Sequence, residues 1–389
     1  MNIEQKVEQS LNRLLEYIEN EEFKGWDPYD ALNSKILWYL SFGSKWIRVA
    51  YTQALKKCPV NFRKLFFIKK GYNPKGLGLL LSGYIRLFEM EKKKIYKEKI
   101  FKMIDLLEEL KSPNHSGYCW GYNFPWQNRD GYSPPYRPTS VNTSFIGCAF
   151  IDAYQVMNKK KYLDIARSSC DFILKDLKII RETDTELVLS YNTEDHERIY
   201  NSNMLSAALL ARVYAYTKEE HLLAAAQKIT NFVISGQLPD GSWHYGEIET
   251  EKWIDLHHTA YVLESLYEFA MAAQEDDLIH VIEKGLNFFV NTFFSKDGRP
   301  RLWHNKNYPA DIHAMAAVIM LVKLKNIIDH QELLEKITIW MIDHMQDKKG
   351  YFYFRMGRWV KNRIPFMRWS QAWAFLALTT YLSYLREKK

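Results

Sequence analysis

A repeated helical segment constrains the fold of this chain more than any other feature of its sequence. Each copy begins with one to three polar residues and continues as a helix, rich in alanine and leucine, that is apolar on more than one face. A looser copy begins at Lys75. The others follow one another at steps of 59, 54, 56 and 57 residues, with anchors at Asn142, Asn201, Asp255, Asp311 and Arg368. A period of this size indicates stacked helical hairpins.

A second kind of helix lies between these copies, apolar on one face and rich in Lys and Glu on the other. Four of them step by 60, 56 and 54 residues, with anchors at Leu163, Leu223, Ile279 and Leu333. The segments 3–18 and 92–110 show the same pattern near the start of the chain. The sequence thus predicts six amphipathic helices that alternate with six nearly all-apolar ones.

The burial needs of the two kinds of helix predict their arrangement. A helix that is apolar all round must be enclosed, whereas an amphipathic helix can face water on one side. We therefore predict an all-α fold, an (α/α)6 toroid whose inner ring of apolar helices is wrapped by the amphipathic ones. We expect residues 1–389 to form one domain, with an insertion at 26–72 that caps the funnel. An open solenoid is the alternative, although its ends would expose more apolar surface.

Loop lengths predict the functional face. The connections from an apolar helix to the next amphipathic one are short, whereas the return connections are long and aromatic, at 111–140, 176–199, 236–254, 294–310 and 346–367. All the long loops therefore lie around the N-terminal ends of the inner helices. Because helix N-termini present free N–H groups and the positive end of the helix dipole, we expect a polar or anionic ligand there.

Composition narrows the class of protein. Hydrophobic residues make up 47% of the chain and charged residues 25%, as in ordinary globular proteins, and the net charge of +7 favours an anionic partner over a basic one. The four cysteines form no CxxC pair, the N-terminal segment lacks the apolar run of a signal peptide, and no stretch approaches the length of a membrane span. We therefore expect a cytoplasmic protein with no nucleic-acid partner. The basic stretch 56–70 interleaves Lys with Phe, as a membrane or protein contact would, or as a solvated amphipathic segment would.

The loop 115–140 is the most informative for a ligand. It combines aromatic rings with Asn, Arg and Asp side chains, and this is what a sugar needs, because the ring stacks on its apolar face while its hydroxyls and carboxylates are hydrogen-bonded. The alternative is that the aromatic residues only order the loop itself. Asp130 is a candidate catalytic carboxylate. The candidate substrate contacts in this loop are Trp120, Tyr122, Asn123, Trp126, Arg129, Tyr136 and Arg137.

Histidines recur at the same point of two successive repeats. Asp255 is followed by His257 and His258, and Asp311 by His313. The aspartates are ordinary N-cap residues on one interpretation, whereas the histidines are candidate acids, bases or metal ligands. No HxxxH or HExxH spacing is present, so we predict neither a metal nor a cofactor. Further candidates are the catalytic Tyr353 and the substrate-binding residues Asn142, Asn201, His244, Trp303, His304 and Arg355.

Several motifs carry a resemblance to known toroids. The segment QLPDGSW at 237–243, with weaker copies at 295–303 and 347–354, resembles the Gln/Gly/Trp loop of α/α toroids such as terpenoid cyclases, protein prenyltransferases and the six-hairpin glycosidase superfamily with its lyase and epimerase relatives. Through WDPYDALNS at 26–34 and CWGYNFPWQ at 119–127, the chain also resembles toroid proteins of bacterial surface-polysaccharide clusters. The first resemblance implies an (α/α)6 toroid, and the second implies a role in polysaccharide biosynthesis or modification.

The toroid subfamilies differ in the residues that they need. Terpenoid cyclases use an Asp-rich motif, but the nearest acidic run here, 275–277, begins an outer helix. The zinc site of prenyltransferases needs Asp, Cys and His on inner helices, and only Cys148 lies near an inner N-terminus. The carbohydrate-active branch therefore fits this chain better, and a terpenoid-cyclase-like enzyme is the least favoured interpretation.

Three functions remain open within the carbohydrate branch. A uronate lyase or C5-epimerase needs a Tyr or His that takes the C5 proton and cationic groups that neutralise the carboxylate. A glycoside hydrolase needs two carboxylates, which Asp130, Asp255 and Asp311 could supply. A glycan-binding or scaffolding toroid needs neither. We favour the lyase or epimerase, with an anionic oligo- or polysaccharide as partner and membrane-associated polysaccharide assembly proteins as a further candidate partner.

Overall fold

The computed structural model describes residues 2–128, 131–327 and 330–388, and its helices follow the predicted alternation. From α4 onward the even-numbered helices correspond to the all-apolar segments and the odd-numbered ones to the amphipathic segments. Helices α2 and α3 lie in the predicted insertion. In chain order the helices are α1 (Ile3–Asn20), α2 (Lys35–Tyr39), α3 (Lys45–Lys57), α4 (Pro74–Glu91), α5 (Lys94–Glu109), α6 (Ser140–Met157), α7 (Lys160–Lys175), α8 (Tyr200–Thr217), α9 (Glu220–Ser235), α10 (Leu256–Ala273), α11 (Ile279–Phe293), α12 (Ala314–Lys323), α13 (Gln331–Met345) and α14 (Trp373–Glu387).

The even-numbered helices form a closed inner ring. Each packs against the next, from α4 through α6, α8, α10 and α12 to α14, and α14 packs against α4. Helix α1 completes the outer ring, because it packs against α14 and α13. An open solenoid would leave α4 and α14 apart, so that alternative is excluded and the predicted (α/α)6 toroid is confirmed.

Burial follows the predicted division between the rings. Helix α8 is buried without a break from Tyr200 to Ala211. Outer helix α7 instead buries residues at helical spacing, such as Ile165, Ser169 and Phe172, and leaves its charged face to solvent. Among the described helices, none combines the length and the apolar character needed to cross a bilayer.

Three glycines lock successive repeats together. Gly241, Gly298 and Gly350 have φ angles of 92°, 82° and 94°, in the left-handed region that other residues adopt at a cost. A Cβ at Gly241 would lie 2.4 Å from the carbonyl oxygen of Lys284 in α11, and a Cβ at Gly350 would lie 2.1 Å from that of Arg13 in α1. The loop after one outer helix therefore lies directly on the next outer helix, and this contact requires glycine.

Side chains of the same loops reinforce the lock. Gln237 Nε2 donates to the carbonyl oxygens of Gly241, at 3.2 Å, and of Val281 in α11, at 3.0 Å. The indole of Trp243 is buried and donates to the carbonyl oxygen of Val233 at 2.8 Å. The Gln/Gly/Trp pattern at 237–243 is thus explained by packing between repeats.

Short strands, which the sequence analysis did not predict, order the long loops. They are β1 (Trp126–Gln127), β2 (Tyr132–Ser133), β3 (Ile179–Glu182), β4 (Leu187–Leu189), β5 (Ala310–Asp311), β6 (Arg355–Met356) and β7 (Lys361–Asn362). All pair antiparallel, as β1–β2, β3–β4 and the three-stranded β5–β6–β7. The β5–β6 register places Asp311 opposite Arg355. Three single 3₁₀ turns (Asp30–Asn33, Glu249–Glu251 and Asp276–Leu278) and a π-helical turn (Met367–Ala372) complete the regular structure.

The segment 26–72 leaves the ring and returns to it at one point. Gly25 and Gly71 exchange two backbone hydrogen bonds of 3.0 Å. Inside the excursion, the fully buried Arg63 donates from Nε to Asp30 Oδ1 at 2.8 Å and from Nη2 to the carbonyl oxygen of Asp27 at 2.9 Å. This buried ion pair joins the segment that follows α3 to the residues that precede α2.

The lock between repeats predicts a stability difference between two glycine variants. Gly241→Ala should lower the free energy of unfolding by about 2–4 kcal/mol, because a left-handed alanine and a displaced carbonyl are both unfavourable. Gly43 is the matched control, because its φ is 75° and no atom lies within 4 Å of the position that a Cβ would take. Gly43→Ala should cost only about 1–2 kcal/mol. Urea unfolding measures both, and equal losses would contradict the lock.

Candidate active site

A cavity of about 630 Å³ opens at the N-terminal ends of the inner helices. Each of the six repeats supplies a lining residue from the start of its inner helix or from the turn just before it. Because the repeats are in register, residues that are 55 to 66 positions apart in sequence converge on one floor. These six residues are Lys75, Val141, Asn201, His257, His313 and Arg368.

The histidines of two adjacent repeats meet in this cavity. The ring centroids of His257 and His313 are 4.9 Å apart, and those of His257 and His258 are 4.1 Å apart. His257 is 8% exposed and His313 is 2% exposed. The structure therefore brings together the three histidines that the sequence singled out.

Asp255 orients the histidines of its own repeat. It caps α10, accepting a 3.0 Å hydrogen bond from the backbone N–H of His258. Its two carboxylate oxygens lie 3.1 Å from His257 Nδ1 and 2.7 Å from His258 Nδ1. The indole of Trp253 donates to the same carboxylate at 3.1 Å. Asp255 is thus an N-cap, as one interpretation predicted, and its carboxylate also lies beside both imidazoles.

Asp311 in the next repeat lies in β5 and does not cap its helix, since His313 is the N-cap residue of α12, but its carboxylate also lies beside a histidine. Its Oδ1 accepts a 3.0 Å hydrogen bond from the indole of Trp369 and lies 3.6 Å from His313 Nδ1. Its Oδ2 pairs with Arg355 Nε across the β5–β6 ladder. Arg355, a predicted substrate contact, therefore pairs with Asp311 and is absent from the described cavity lining. Trp369 also lines the cavity.

The electrostatic environment fixes the charge of these groups near neutral pH. Burial opposes ionisation of Asp255 and Asp311, but His257 together with the hydrogen bonds from His258 at Asp255, and Arg355 together with His313 at Asp311, hold the pKa of each carboxyl below its usual range. Burial lowers the pKa of His257 well below its usual range, with Asp255 opposing it. Burial also lowers the pKa of His313 to about 4, against the effect of Asp311. Two ionised carboxylates thus face two neutral imidazoles.

This arrangement determines the available nitrogen of each ring. The Nδ1 atoms of His257 and His313 are buried without a hydrogen bond and lie 3.1 and 3.6 Å from an oxygen of Asp255 and Asp311 respectively, so we assign the proton of each neutral ring to Nδ1. Nε2 then offers a lone pair to a ligand. Both imidazoles are therefore proton acceptors at the floor of the cavity.

Lys75, which the sequence analysis passed over, lies on the same floor. It is 3% exposed, and its Nζ lies 4.2 Å from the ring centroid of Phe145, 5.1 Å from that of Tyr261 and 5.5 Å from that of Trp373. Within the described residues no carboxylate forms an ion pair with it. Burial, and then the charge of Arg368, lower the pKa of Lys75 well below its usual range. The sequence feature that could have pointed to Lys75 is its position at the start of the first, looser copy of the repeat.

Arg368 joins the cavity floor to the excursion at 26–72. Its guanidinium donates to both carboxylate oxygens of Asp27, at 2.6 and 2.8 Å, and lies 4.8 Å from the ring centroid of Tyr122. Tyr29, two residues after Asp27, lines the cavity. The excursion is therefore attached to the floor by a buried, bidentate ion pair.

Aromatic and amide side chains form the walls. Of the predicted substrate contacts, Tyr122, Trp126 and Asn201 line the cavity. A second groove of about 470 Å³ shares Trp126 with the cavity and is lined by Arg137. The two together give room for more than one sugar unit.

Other predicted residues lie elsewhere. Trp120 is fully buried, and its indole donates to the carbonyl oxygen of Leu107, so it belongs to the core. The Tyr353 hydroxyl donates to Asp347 at 2.9 Å, away from the histidines. Arg129 and Asp130 lie outside the described residues. Six further predicted substrate contacts are described but do not line the cavity. Asn123 accepts a hydrogen bond from Asn73. The other five are the buried Asn142, the exposed Tyr136, and the half-buried His244, Trp303 and His304.

One group has the spacing of a partial metal site. Asp255, His257 and His258 each offer a ligand atom, and these atoms lie within 4.8 Å of one another. The Nδ1 atoms of His257 and His258 lie 3.1 and 2.7 Å from different oxygens of the Asp255 carboxylate, so both oxygens already face an imidazole.

Comparison with known proteins finds solved structures of similar fold but no match in sequence. No family model and no curated protein matches the chain. Among solved structures, an α-mannanase of glycoside hydrolase family 76 from Bacteroides thetaiotaomicron is similar, with a TM-score of 0.63 and 13% identity over 81% of this chain and 87% of the mannanase. Cellobiose 2-epimerase from Spirochaeta thermophila has a TM-score of 0.63 and 11% identity, over 82% of this chain and 87% of the epimerase.

A third similar structure is an unsaturated glucuronyl hydrolase specific for heparin. Its TM-score is 0.60 and its identity 12%, over 82% of this chain and 89% of the hydrolase. At these identities the likeness concerns the fold. All three are (α/α)6 toroids, so this chain has the fold of the six-hairpin glycosidase-like superfamily, as its repeats predicted.

Proposed function

We propose that this protein is a carbohydrate-active enzyme that removes a proton from a sugar carbon next to a carboxyl group, as a uronate lyase or C5-epimerase does. The observation that carries the proposal is the pair of neutral imidazoles, His257 and His313, on the floor of the cavity, each backed by an ionised aspartate. Carbohydrate chemistry is supported by the aromatic walls and by the enzymes that share the fold.

The reaction begins with a proton that leaves C5 for Nε2 of one imidazole, here assigned to the more exposed His257. The electron pair of the C–H bond moves into the carboxylate of the sugar, giving an enolate-like dianion. Lys75, which has a lowered pKa and no ion-pair partner among the described residues, would neutralise that charge in its protonated form. A bound carboxylate would in turn favour the protonated form of Lys75.

The separation of the imidazoles favours elimination over epimerisation. With ring centroids 4.9 Å apart, the two rings are neighbours and approach a substrate from one side. In a lyase the C4–O4 bond then breaks, a C4–C5 double bond forms, and the proton held by His257 passes to the leaving oxygen on the same face. An epimerase must return the proton from the opposite face, which two adjacent acceptors do not supply.

A glycoside hydrolase built on an aspartate pair is less well supported. It needs one carboxylic acid that stays protonated. Asp255 and Asp311 both have a lowered pKa and accept hydrogen bonds from indoles, so neither is a ready proton donor. A non-catalytic glycan-binding toroid is the alternative that a lack of turnover would favour.

A role in surface-polysaccharide metabolism rests on the two segments that carry the family resemblance. WDPYDALNS supplies Asp27, the partner of Arg368, and Tyr29 of the cavity wall. CWGYNFPWQ supplies Tyr122 and Trp126 to the same wall. The resemblance therefore concerns residues that build the cavity, and we propose that the excursion at 26–72 caps it.

The histidine pair predicts a specific loss of activity. His257→Gln and His313→Gln should each reduce turnover of a uronate oligosaccharide by about a hundredfold to ten-thousandfold, because a general base is removed. Near-ultraviolet absorbance of the unsaturated product measures lyase activity, and deuterium uptake at C5 measures epimerase activity. His221→Gln, on the solvent side of α9, is the control. Full activity in both cavity variants would overturn the mechanism.

The lowered pKa of His313 predicts an unusual pH profile. An imidazole acts as a base only when neutral, and its activity falls as the pH drops through its pKa. The pKa of His313 is about 4, and that of His257, the base assigned above, also lies well below its usual range, so kcat/KM should stay level from pH 7 to about pH 5 and decline only below that. Tryptophan fluorescence at each pH controls for unfolding. A decline centred near the ordinary histidine pKa of about 6.5 would contradict this environment.

Lys75 predicts selectivity for acidic sugars. Lys75→Met should weaken binding of a uronate oligosaccharide about tenfold to a hundredfold while leaving a neutral oligosaccharide unaffected, since a charged hydrogen bond is lost. Methionine fills the same space with no charge to bury, so the fold should persist. Lys111→Met, an exposed lysine over Tyr118, is the control. Titration calorimetry measures both ligands, and equal weakening of both would contradict the assignment.

A further inference from the structure

The excursion at 26–72 carries an exposed apolar surface that the cavity does not use. Phe42 is 83% exposed and Phe67 is 76% exposed, and Tyr39, Trp46 and Leu65 are also well exposed. We call this set, on the turns around α2 and α3 and on the segment 60–67, the excursion surface. Large exposed apolar side chains concentrated in so short a stretch mark an interaction site.

The same segment is purely basic. Residues 31–70 contain nine Lys and Arg and not one Asp or Glu. Arg63 is buried in its ion pair with Asp30, and Lys70 pairs with Glu21. Exposed lysines such as Lys45, Lys64 and Lys69 stand beside the aromatic residues.

Two phenylalanines of the excursion surface have a strained backbone conformation. Phe42 and Phe67 have φ angles of 48° and 54°, in the left-handed region where Asn or Gly would be favoured. Burial of the side chain does not offset this conformational strain at either position, since both side chains are among the most exposed in the described chain. A phenylalanine at a strained, solvent-exposed turn points to a role outside the fold.

We propose that the excursion surface docks on an anionic membrane. Aromatic and leucine side chains enter the headgroup region while the surrounding lysines meet anionic lipid headgroups, the combination by which proteins bind a membrane interface. A protein partner fits less well, because protein interfaces are depleted of Lys at their core, whereas lysines here alternate with the aromatics.

Docking would bring the cavity close to the lipid surface. Tyr29 of the excursion lines the cavity. The backbone of Lys56 and Cys58 accepts hydrogen bonds from Asn362 Nδ2, of 3.4 and 3.0 Å, which connect the excursion to the β6–β7 hairpin. Trp359, between these strands, is also strongly exposed. A glycan held at a membrane could therefore reach the cavity. This inference does not depend on the reaction proposed above.

Vesicle flotation with the full chain tests the proposal. We expect it to bind phosphatidylcholine vesicles containing phosphatidylglycerol and to bind pure phosphatidylcholine at least about tenfold more weakly, with the difference disappearing at high salt. The double variant Phe42→Asn/Phe67→Asn should reduce partitioning about tenfold or more. Because Asn is favoured at positive φ, its thermal midpoint should stay equal or rise, which separates lost docking from misfolding.

Two controls make the outcome decisive. Ile179→Asn/Met271→Asn removes exposed apolar side chains far from the excursion in sequence and should leave vesicle binding unchanged. Lys64→Gln/Lys69→Gln should weaken binding to anionic vesicles only. No vesicle binding by the parent protein, or full binding by the Phe42→Asn/Phe67→Asn variant, would overturn the proposal. Self-association that is abolished by the same variant, with no vesicle binding, would assign the surface to a second copy instead.

Discussion

The packing of α14 against α4 is the contact on which the rest of this structure depends. It closes six all-apolar helices into a ring, and in a closed ring the N-termini of all inner helices meet at one place. The glycine loops add a second constraint, because each lies on the next outer helix and leaves no room for a Cβ. The long loops that lead from outer to inner helices therefore all lie on the face formed by these N-termini. Their aromatic residues form the walls of the cavity.

The residues of the cavity floor come together in a buried environment, and this explains their shifted pKa values. Burial favours the neutral form of an imidazole, and His257 and His313 accordingly have a lowered pKa. The aspartates resist the same effect because cations, histidines and indole donors surround them. Lys75 lies over aromatic rings and has no such partner among the described residues. Two neutral imidazoles thus lie beside a buried amine that has no carboxylate partner among the described residues, and from this arrangement we propose an acidic sugar as substrate.

Much of this could be predicted from periodicity. The alternation of apolar and amphipathic helices specified the toroid, and the equivalent positions Asp255 and Asp311 specified where the histidines meet. Lys75 and Arg368 also head their repeats, yet neither was singled out as a site residue, because a lone Lys or Arg at the start of a helix has no pattern that marks it as buried. The two tryptophans Trp120 and Trp369 show that the sequence also does not distinguish a core residue from a cavity residue. One is in the core and one in the cavity, and the local sequence around an indole does not reveal which.

The sequence by itself determined the number of repeats, the order of the helices and the face on which the loops lie, since these follow from hydrophobic spacing, which is local. Only the tertiary structure decided which side chains share a cavity, because Lys75 and Trp373, nearly 300 residues apart, come together only when the ring closes. It also decided the protonation of the histidines, since the pKa of a side chain depends on its burial and on its neighbours. Both arise from packing across the whole chain.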